Sequence, residues 1–469
     1  MRLDVLFVYI IVLLCFFVFS YVIYSPTLIL LMSLASLCFY LNFIFYNSNK
    51  SLILRAYVFS SILRLSFCGA YIYISLILGD ISLVSIPFTI NDISNIPKVY
   101  FTLLISDVLF IYIFNSFNYV QVGFIENIIR VREGEKKILG FLVLSFISLL
   151  LNDVIGSKFI ELLGSYLFPS ILLYLLFNYS KHSLSLLFIT SIFFVLNLSY
   201  VSSSYMKQPL VTLALPFLIY VFYKISKSRN SFIKISIFLV FISLCASIIN
   251  NYSSERRKDF WVGTERMSSS EVPVLPYIES AITKTFSFEK DSDNNYIEGG
   301  WKIFHRTQIL SAATWAYEQT LEGKFKDGFI QDVIYMLIPR ALFPSKEIIW
   351  PGRELSVDLG MANFADEATS STGLSMQGAY IRSFGLIFLP LCMIFSALTF
   401  SYVSKKIEAG TSFDIIKLMF CLYLTLECVR WFEGSFSGGL NIFIKIIILE
   451  RIYHYSIKFF PRIFNIRQR

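Results

Sequence analysis

The side chains of this chain best suited to chemistry gather in one polar stretch. Between Asn251 and Ser383 stand His305 beside Arg306, Arg340 and Lys346 in PRALFPSK, Arg353 and Glu354 in PGRE, Asp366 and Glu367 in ADEATSST, and Tyr380 with Arg382 in GAYIRSFG. Arg and Lys hold anionic oxygens, and Arg does so through a planar fork that keeps its charge at every working pH. A carboxylate or a histidine can take the proton of an attacking hydroxyl. The set therefore suits an anionic head group presented at a membrane surface, with a proton acceptor nearby. It also suits a solvated basic loop drawn to anionic lipid, with its carboxylates as solubilisers. Motifs for soluble substrates are absent: there is no P-loop, dinucleotide fingerprint, HExxH, GxSxG or paired CxxC. With 3 histidines in the whole chain a His-rich metal site is excluded, and nothing calls for a metal or another cofactor.

Positioning these residues falls to a chain that is 56% hydrophobic and 15% charged, with a mean hydropathy of +0.66. Soluble domains run about 25% charged. Apolar runs near twenty residues long, without strand-like alternation, predict helices, because lipid offers the backbone no hydrogen-bond partner. The expected fold is an all-α integral membrane protein of about twelve spans. These fall near 3–24, 26–46, 56–79, 100–121, 138–152, 159–178, 183–200, 208–223, 233–250, 384–403, 412–430 and 439–457. The first run, after Met1-Arg2, reads as an uncleaved span because no small-residue cleavage site follows it.

Lys and Arg set the orientation, since positive residues stay in short cytoplasmic loops. Arg130, Arg132, Lys136, Lys137, Lys224, Lys227, Arg229, Lys405 and Lys406 fall on one side together with both termini, whereas the short loops opposite hold only Lys98, Lys158 and Lys207. Both termini are thus expected on the cytoplasmic side of an inner membrane. Residues 251–383 form one large, partly helical periplasmic loop between an N-terminal bundle, 1–250 with about nine spans, and a C-terminal one, 384–469 with about three. Within the loop, Trp301–Gly323 has helical spacing, Phe329–Phe343 suits a helix at the membrane interface, and Pro344–Thr372 reads as irregular. Gly373–Lys405 reads as one long helix that carries Gln377, Tyr380 and Arg382 toward the membrane surface. All seven cysteines lie in apolar runs, so no disulfide framework supports the loop. The net charge of +8 sits in short loops and gives no nucleic-acid platform.

Charges inside apolar runs form a second constellation, since an ionised group in the bilayer costs several kcal/mol unless it is paired or hydrated. Arg64 lies mid-span and is expected to snorkel or to pair with a carboxylate elsewhere. Glu427, Arg430 and Glu433 sit near the end of another run; Glu427 and Arg430 have the i, i+3 spacing of a plain helix-surface pair, and Arg430 also lies where a phosphate head group would.

PRALFPSK followed by GAYIRSFG, in that order and just before a span, resembles the Wzy-type polymerases of bacterial O-antigen and capsular polysaccharide. The resemblance covers the hydropathy of the whole chain but only some fifty residues of motif. The spaced Arg-x10-Gly pattern of some members is absent from the loop. Membership would imply a glycosyltransferase in which a sugar hydroxyl on one polyprenyl-diphosphate-linked oligosaccharide attacks the anomeric carbon of another and releases polyprenyl diphosphate. It would assign Arg340, Lys346, Arg353, Arg382 and Arg430 to the diphosphate. His305, Glu354, Asp366, Glu367 and Tyr380 would be the candidates at the reacting hydroxyl. A chain-length regulator, a flippase and membrane lipids would be partners. Two other readings stay open: an O-antigen ligase, which would need His305, and a transporter or flippase of the same lipid-linked unit, against which the single large loop and the lack of an internal repeat stand. An enzyme using single sugars on a polyprenyl monophosphate would instead draw on Asp80 and Asp92.

Overall fold

Apolar runs with no lasting polar face become helices that are apolar all round, and such helices need lipid or protein on every side. The computed structural model describes residues 26–46, 51–77, 90–117, 124–131, 133–155, 158–203, 207–226, 275–286, 309–326, 374–408 and 414–431, together with short pieces and single positions between them. In chain order the helices are α1 (Pro26–Tyr46), α2 (Leu52–Ser61), continued through a π-helical turn (Ile62–Phe67) into α3 (Cys68–Ile77), α4 (Asn95–Phe117), α5 (Phe124–Arg130), α6 (Glu135–Ile155) and α7 (Lys158–Asn178). After them come α8 (Leu184–Ser203), α9 (Lys207–Ser226), α10 (Leu275–Phe286), α11 (Ile309–Leu321), α12 (Met376–Phe384), α13 (Leu389–Glu408) and α14 (Ile415–Trp431). The described strands are two short antiparallel hairpins, Trp261–Val262 with Glu265–Arg266 and Phe288–Lys290 with Ile297–Gly299.

This is a helical membrane protein. Among the described residues, six helices are long and apolar enough to cross a bilayer: Pro26–Ile44, Leu52–Ile74, Asn95–Phe117, Leu162–Lys181, Leu184–Val201 and Leu386–Lys405. Leu210–Ile225 and Ile415–Leu426 are shorter apolar helices at two further expected spans. The runs near 3–24 and 439–457 lie outside the described residues, apart from single helical positions in the second. Large apolar side chains stay exposed along whole faces, as with Leu184, Phe188, Ile192 and Val195 on α8 and Leu391, Phe395, Leu398 and Tyr402 on α13, which is a surface for lipid and not for water.

Two compact units make up the chain: Met1–Gln121 with Thr307–Gly410 and Leu424–Arg469, and Val122–Arg306 with Thr411–Tyr423. This division crosses the linear partition at 250 and 383. Its physical cause is α11, which belongs to the polar stretch in sequence yet is buried at every position from Ile309 to Ala316, packing on α12, α4 and the π-helical turn. In the second unit α6 packs on α7 and α7 on α9.

The single long helix expected over Gly373–Lys405 is not formed. Gly385 takes φ +84, its N–H closes on the Ile381 carbonyl at 2.7 Å, and a 3-10 turn at Leu386–Phe388 starts α13 in a new direction. The helix expected over Trp301–Gly323 is α11, which ends as anticipated just before Gly323, at φ +76; residues 301–308 and the interface helix expected at Phe329–Phe343 lie outside the described residues.

Where α13 ends, three residues past its apolar window, Glu408 is fully buried. Its Oε1 accepts the N–H groups of Leu52 at 2.9 Å and Ile53 at 3.3 Å, and Oε2 accepts the Ser404 hydroxyl at 2.7 Å. The carboxyl thus satisfies orphan donors in the first turn of α2, beside the N-cap Ser51. Burial pushes the Glu408 carboxyl above the usual carboxylate range. A carboxyl raised on folding contributes stability while protonated, and that contribution is lost as pH rises through its folded value. In detergent, Glu408→Gln is expected to unfold at a thermal midpoint that no longer falls on this account from mildly acidic to mildly alkaline buffer. Glu408→Ala is expected to lose about 1–3 kcal/mol at every pH, because two buried N–H groups lose their acceptor; an alanine variant as stable as the parent would contradict the capping role.

Candidate functional site

The second motif segment, GAYIRSFG, folds as α12 and the turn after it. Ser375, at φ 66, stands at its N-cap and accepts the Gly378 N–H on its hydroxyl at 3.1 Å. Such a dihedral is strained for a residue with a Cβ and is held here by the packing around it. Arg382 lies in the last turn of α12. Its Nη2 donates to Asp358 Oδ2 at 2.7 Å, and its guanidinium lies 5.2 Å from the ring centre of Trp315 on α11. Its backbone carbonyl accepts the Lys326 N–H at 3.1 Å. The Arg382 side chain is 13% exposed and that of Asp358 is 39% exposed, so the pair opens on the carboxylate side. Among the described residues, the buried Nε–H of Arg382 has no acceptor.

Tyr380 is buried, and its hydroxyl lies 2.6 Å from Ser396 Oγ on α13. Burial pushes the phenol well above its ordinary value. That geometry makes it a fixed hydrogen-bonded link between α12 and α13. Arg430 falls within α14, and its side chain is outside the description. His305, Arg340, Lys346, Arg353, Glu354, Asp366 and Glu367 lie outside the described residues.

The first turn of α12 is buried. Gln377 is 2% exposed, and its Nε2 donates to Asp107 Oδ1 at 2.8 Å, where sequence had placed Gln377 facing the membrane surface. Asp107 is a fully buried carboxylate midway along α4. The Tyr57 hydroxyl from α2 donates to the same oxygen at 2.6 Å, and the Tyr40 hydroxyl from α1 donates to the other at 2.9 Å. Arg64, 5% exposed in the π-helical turn, supplies a positive field to this carboxylate. Arg64 is expected to snorkel or to pair with a carboxylate elsewhere in the chain; it is buried, with Asp107 as the carboxyl on which its charge bears. The ring of Tyr57 stacks on Phe110 at 4.0 Å, and Phe110 meets Phe400 of α13 edge-on at 5.7 Å, so the polar node sits in an aromatic sleeve.

The π-helical turn explains how Arg64 reaches that position. A widened turn loosens the helical ladder, and its carbonyls need other donors in an apolar layer. Arg64 Nε donates back to the Ser60 carbonyl at 3.1 Å, and the Tyr100 hydroxyl donates to the Leu65 carbonyl at 2.8 Å. Gly69, just beyond, permits the close approach of α1 and α4: a Cβ there would run into the Ser33 and Tyr100 hydroxyl groups.

At the Asn95 end of α4 a second buried carboxylate ties α11 to the bundle. Glu318 is 4% exposed and accepts the N–H groups of Asn91 at 2.8 Å and Asp92 at 2.9 Å. Asp92, a candidate for monophosphate chemistry, is engaged with Ser94, whose hydrogen bonds hold its carboxyl below the usual range. Trp315, on the same helix as Glu318, packs on Phe88 at 5.7 Å.

Sequence reasoning missed Asp107, although it is the sole charged residue between Lys98 and Glu126, and the rule that singled out Arg64 applies to it equally. Asp358 and Glu318 carried no local signal, since carboxylates in polar stretches are ordinary. Comparison with protein families, with curated proteins and with solved structures finds no match to this chain.

Removing the Asp107 carboxylate strands two phenols and an amide and leaves Arg64 without that carboxylate. Asp107→Leu is therefore expected to cost about 3 kcal/mol or more in a detergent unfolding titration. Asp107→Asn, which keeps one acceptor oxygen, should cost less, and Asp107→Leu with Arg64→Met should recover part of the loss. Additive single effects in that cycle would contradict the coupling.

Proposed function

We propose that this chain is a polysaccharide polymerase of the bacterial inner membrane, joining polyprenyl-diphosphate-linked oligosaccharide repeat units at the periplasmic face. The observation that carries this is the succession of PRALFPSK and GAYIRSFG directly before the apolar helix Leu386–Lys405, in a chain whose other apolar helices suit a membrane. The asymmetry of Lys and Arg between alternate loops supports cytoplasmic termini and a periplasmic 251–383 stretch.

In the reaction, a hydroxyl of one unit attacks the anomeric carbon of the glycan on a second lipid. The new glycosidic bond forms as the sugar–phosphate bond breaks, polyprenyl diphosphate leaves with the bonding pair, and the hydroxyl proton passes to a base or to water. Negative charge grows on the leaving diphosphate, and fixed cationic donors aimed there lower the barrier more than they stabilise the bound donor. Arg382 has the attributes for one such donor: a guanidinium over the Trp315 ring, one N–H on a partly exposed carboxylate, and a further N–H unspent. Arg340, Lys346, Arg353 and Arg430 are assigned to the same head group, and His305, Glu354, Asp366 or Glu367 to the proton. Tyr380, by its bond to Ser396, is given a supporting part in α12.

A second reading has an observation of its own. The buried Asp107 with Arg64 lies within spanning helices, and ionisable groups at that depth mark transport paths in many membrane proteins. Deleting the gene separates the readings. A polymerase defect leaves lipid A-core carrying a single repeat unit; a transport defect leaves no unit in the periplasm; a ligase defect leaves polymer on the polyprenyl carrier. On complementation, Arg382→Ala should lower polymer formation about 100-fold, the scale of losing one transition-state donor, and Arg382→Lys should restore little of it, because the planar fork is lost. Wild-type polymer from Arg382→Ala would remove this residue from the mechanism.

A further inference from the structure

We infer that α10 (Leu275–Phe286) is a membrane-interface helix whose outward face is seated in the lipid leaflet at the Asn251 end of the preceding apolar run. One side of α10 is packed on protein: Ala281 and Thr285 are buried. The other side carries Leu275 at 81%, Ile278 at 42%, Ile282 at 43% and Phe286 at 64% exposure. Their spacing of three, four and four residues lines them along one stripe. Glu279 and Thr283, also exposed, flank that stripe on one edge. Four large apolar side chains in a row do not belong in water on a helix of twelve residues.

What fixes the occupant as lipid is the tether on the packed side. The Asn251 amide donates to Thr285 Oγ1 at 2.9 Å, and Lys284 Nζ meets Glu255 Oε2 at 2.9 Å. Asn251 directly follows, and Glu255 soon after, an apolar run, 235–250, that is helical at every described position from Lys234 to Tyr252 and exposes Ile237 and Phe241. The bonds therefore hold α10 at the end of a lipid-facing helix, where hydrocarbon gives way to head groups. A helix lying flat at that depth sinks its apolar stripe roughly 5–10 Å into the boundary and keeps its polar edge at the head groups. Arg256, Arg257 and Lys258 follow Glu255 in sequence and complement anionic lipid. The placement is independent of the reaction proposed above.

The test is fluorescence of Ile282→Trp and, separately, Ile278→Trp in proteoliposomes, each read as the difference from the parent with its five tryptophans. Both positions are exposed, so the added ring has room without refolding the core. The added emission is expected to be blue-shifted, to be quenched more by phospholipid brominated near the glycerol end of its chains than by phospholipid brominated near the methyl end, and to resist iodide. Quenching by iodide with none by brominated lipid would place the face in water and overturn the inference. Resistance to both quenchers would mean that protein covers it, from this chain or another, and would overturn it equally.

Discussion

An apolar layer gives a charge no solvent, so every ionised or strongly polar group within it must be met by protein. In the first unit that demand converges on Asp107, which takes donors from α1, α2 and α12 and the field of Arg64. Each donor belongs to a different element, and a carboxylate left with fewer would cost several kcal/mol. The node therefore fixes how those helices meet, and it fixes α12 in particular, because α12 is short and bounded by a strained Ser375 and a left-handed Gly385. The motif helix is held in place by the membrane bundle more than by its own propensity.

Two other buried carboxylates follow the same logic at other levels. Glu318 gathers the N–H groups ahead of α4, and Glu408 gathers those that open α2. Glu408 closes the unpaired donors that start a helix, and Glu318 closes those of the segment leading into one, so backbone groups that would otherwise need water are met within the protein. Arg382 shares a helix with Gln377 and a neighbour, Trp315, with the element that carries Glu318. Arg382 is thus connected through α12 to the buried node at Asp107 and through Trp315 to the helix that carries Glu318.

The helical spans were legible because their signal is length and hydropathy, which need no partner to be read. Leu184–Val201 and Asn95–Phe117 fall within a few residues of their expected places. Arg64 was legible as an anomaly, and Asp107 was equally visible as the one acid in its own run. The break at Gly385 was not, because a glycine in an apolar sequence fits a continuing membrane helix as well as a left-handed turn, and only the packing of α12 on α11 decides between them. The depth of Gln377 was hidden for the same reason: its position follows from folding α12 back into the bundle. The pairing of Arg382 with Asp358 joins residues whose separation carries no periodic signal.

The glycosyl transfer proposed here asks for rigidly held cations beside the bilayer, and the cation that α12 contributes to that proposal is Arg382, held by Asp358 and Trp315. The most direct test is chain growth by the purified protein in proteoliposomes supplied only with polyprenyl-diphosphate-linked repeat units. The account predicts a ladder of longer lipid-linked glycans and one polyprenyl diphosphate released for each bond formed, both lost in Arg382→Ala. Unchanged single units and no diphosphate release from folded, correctly inserted protein would contradict it.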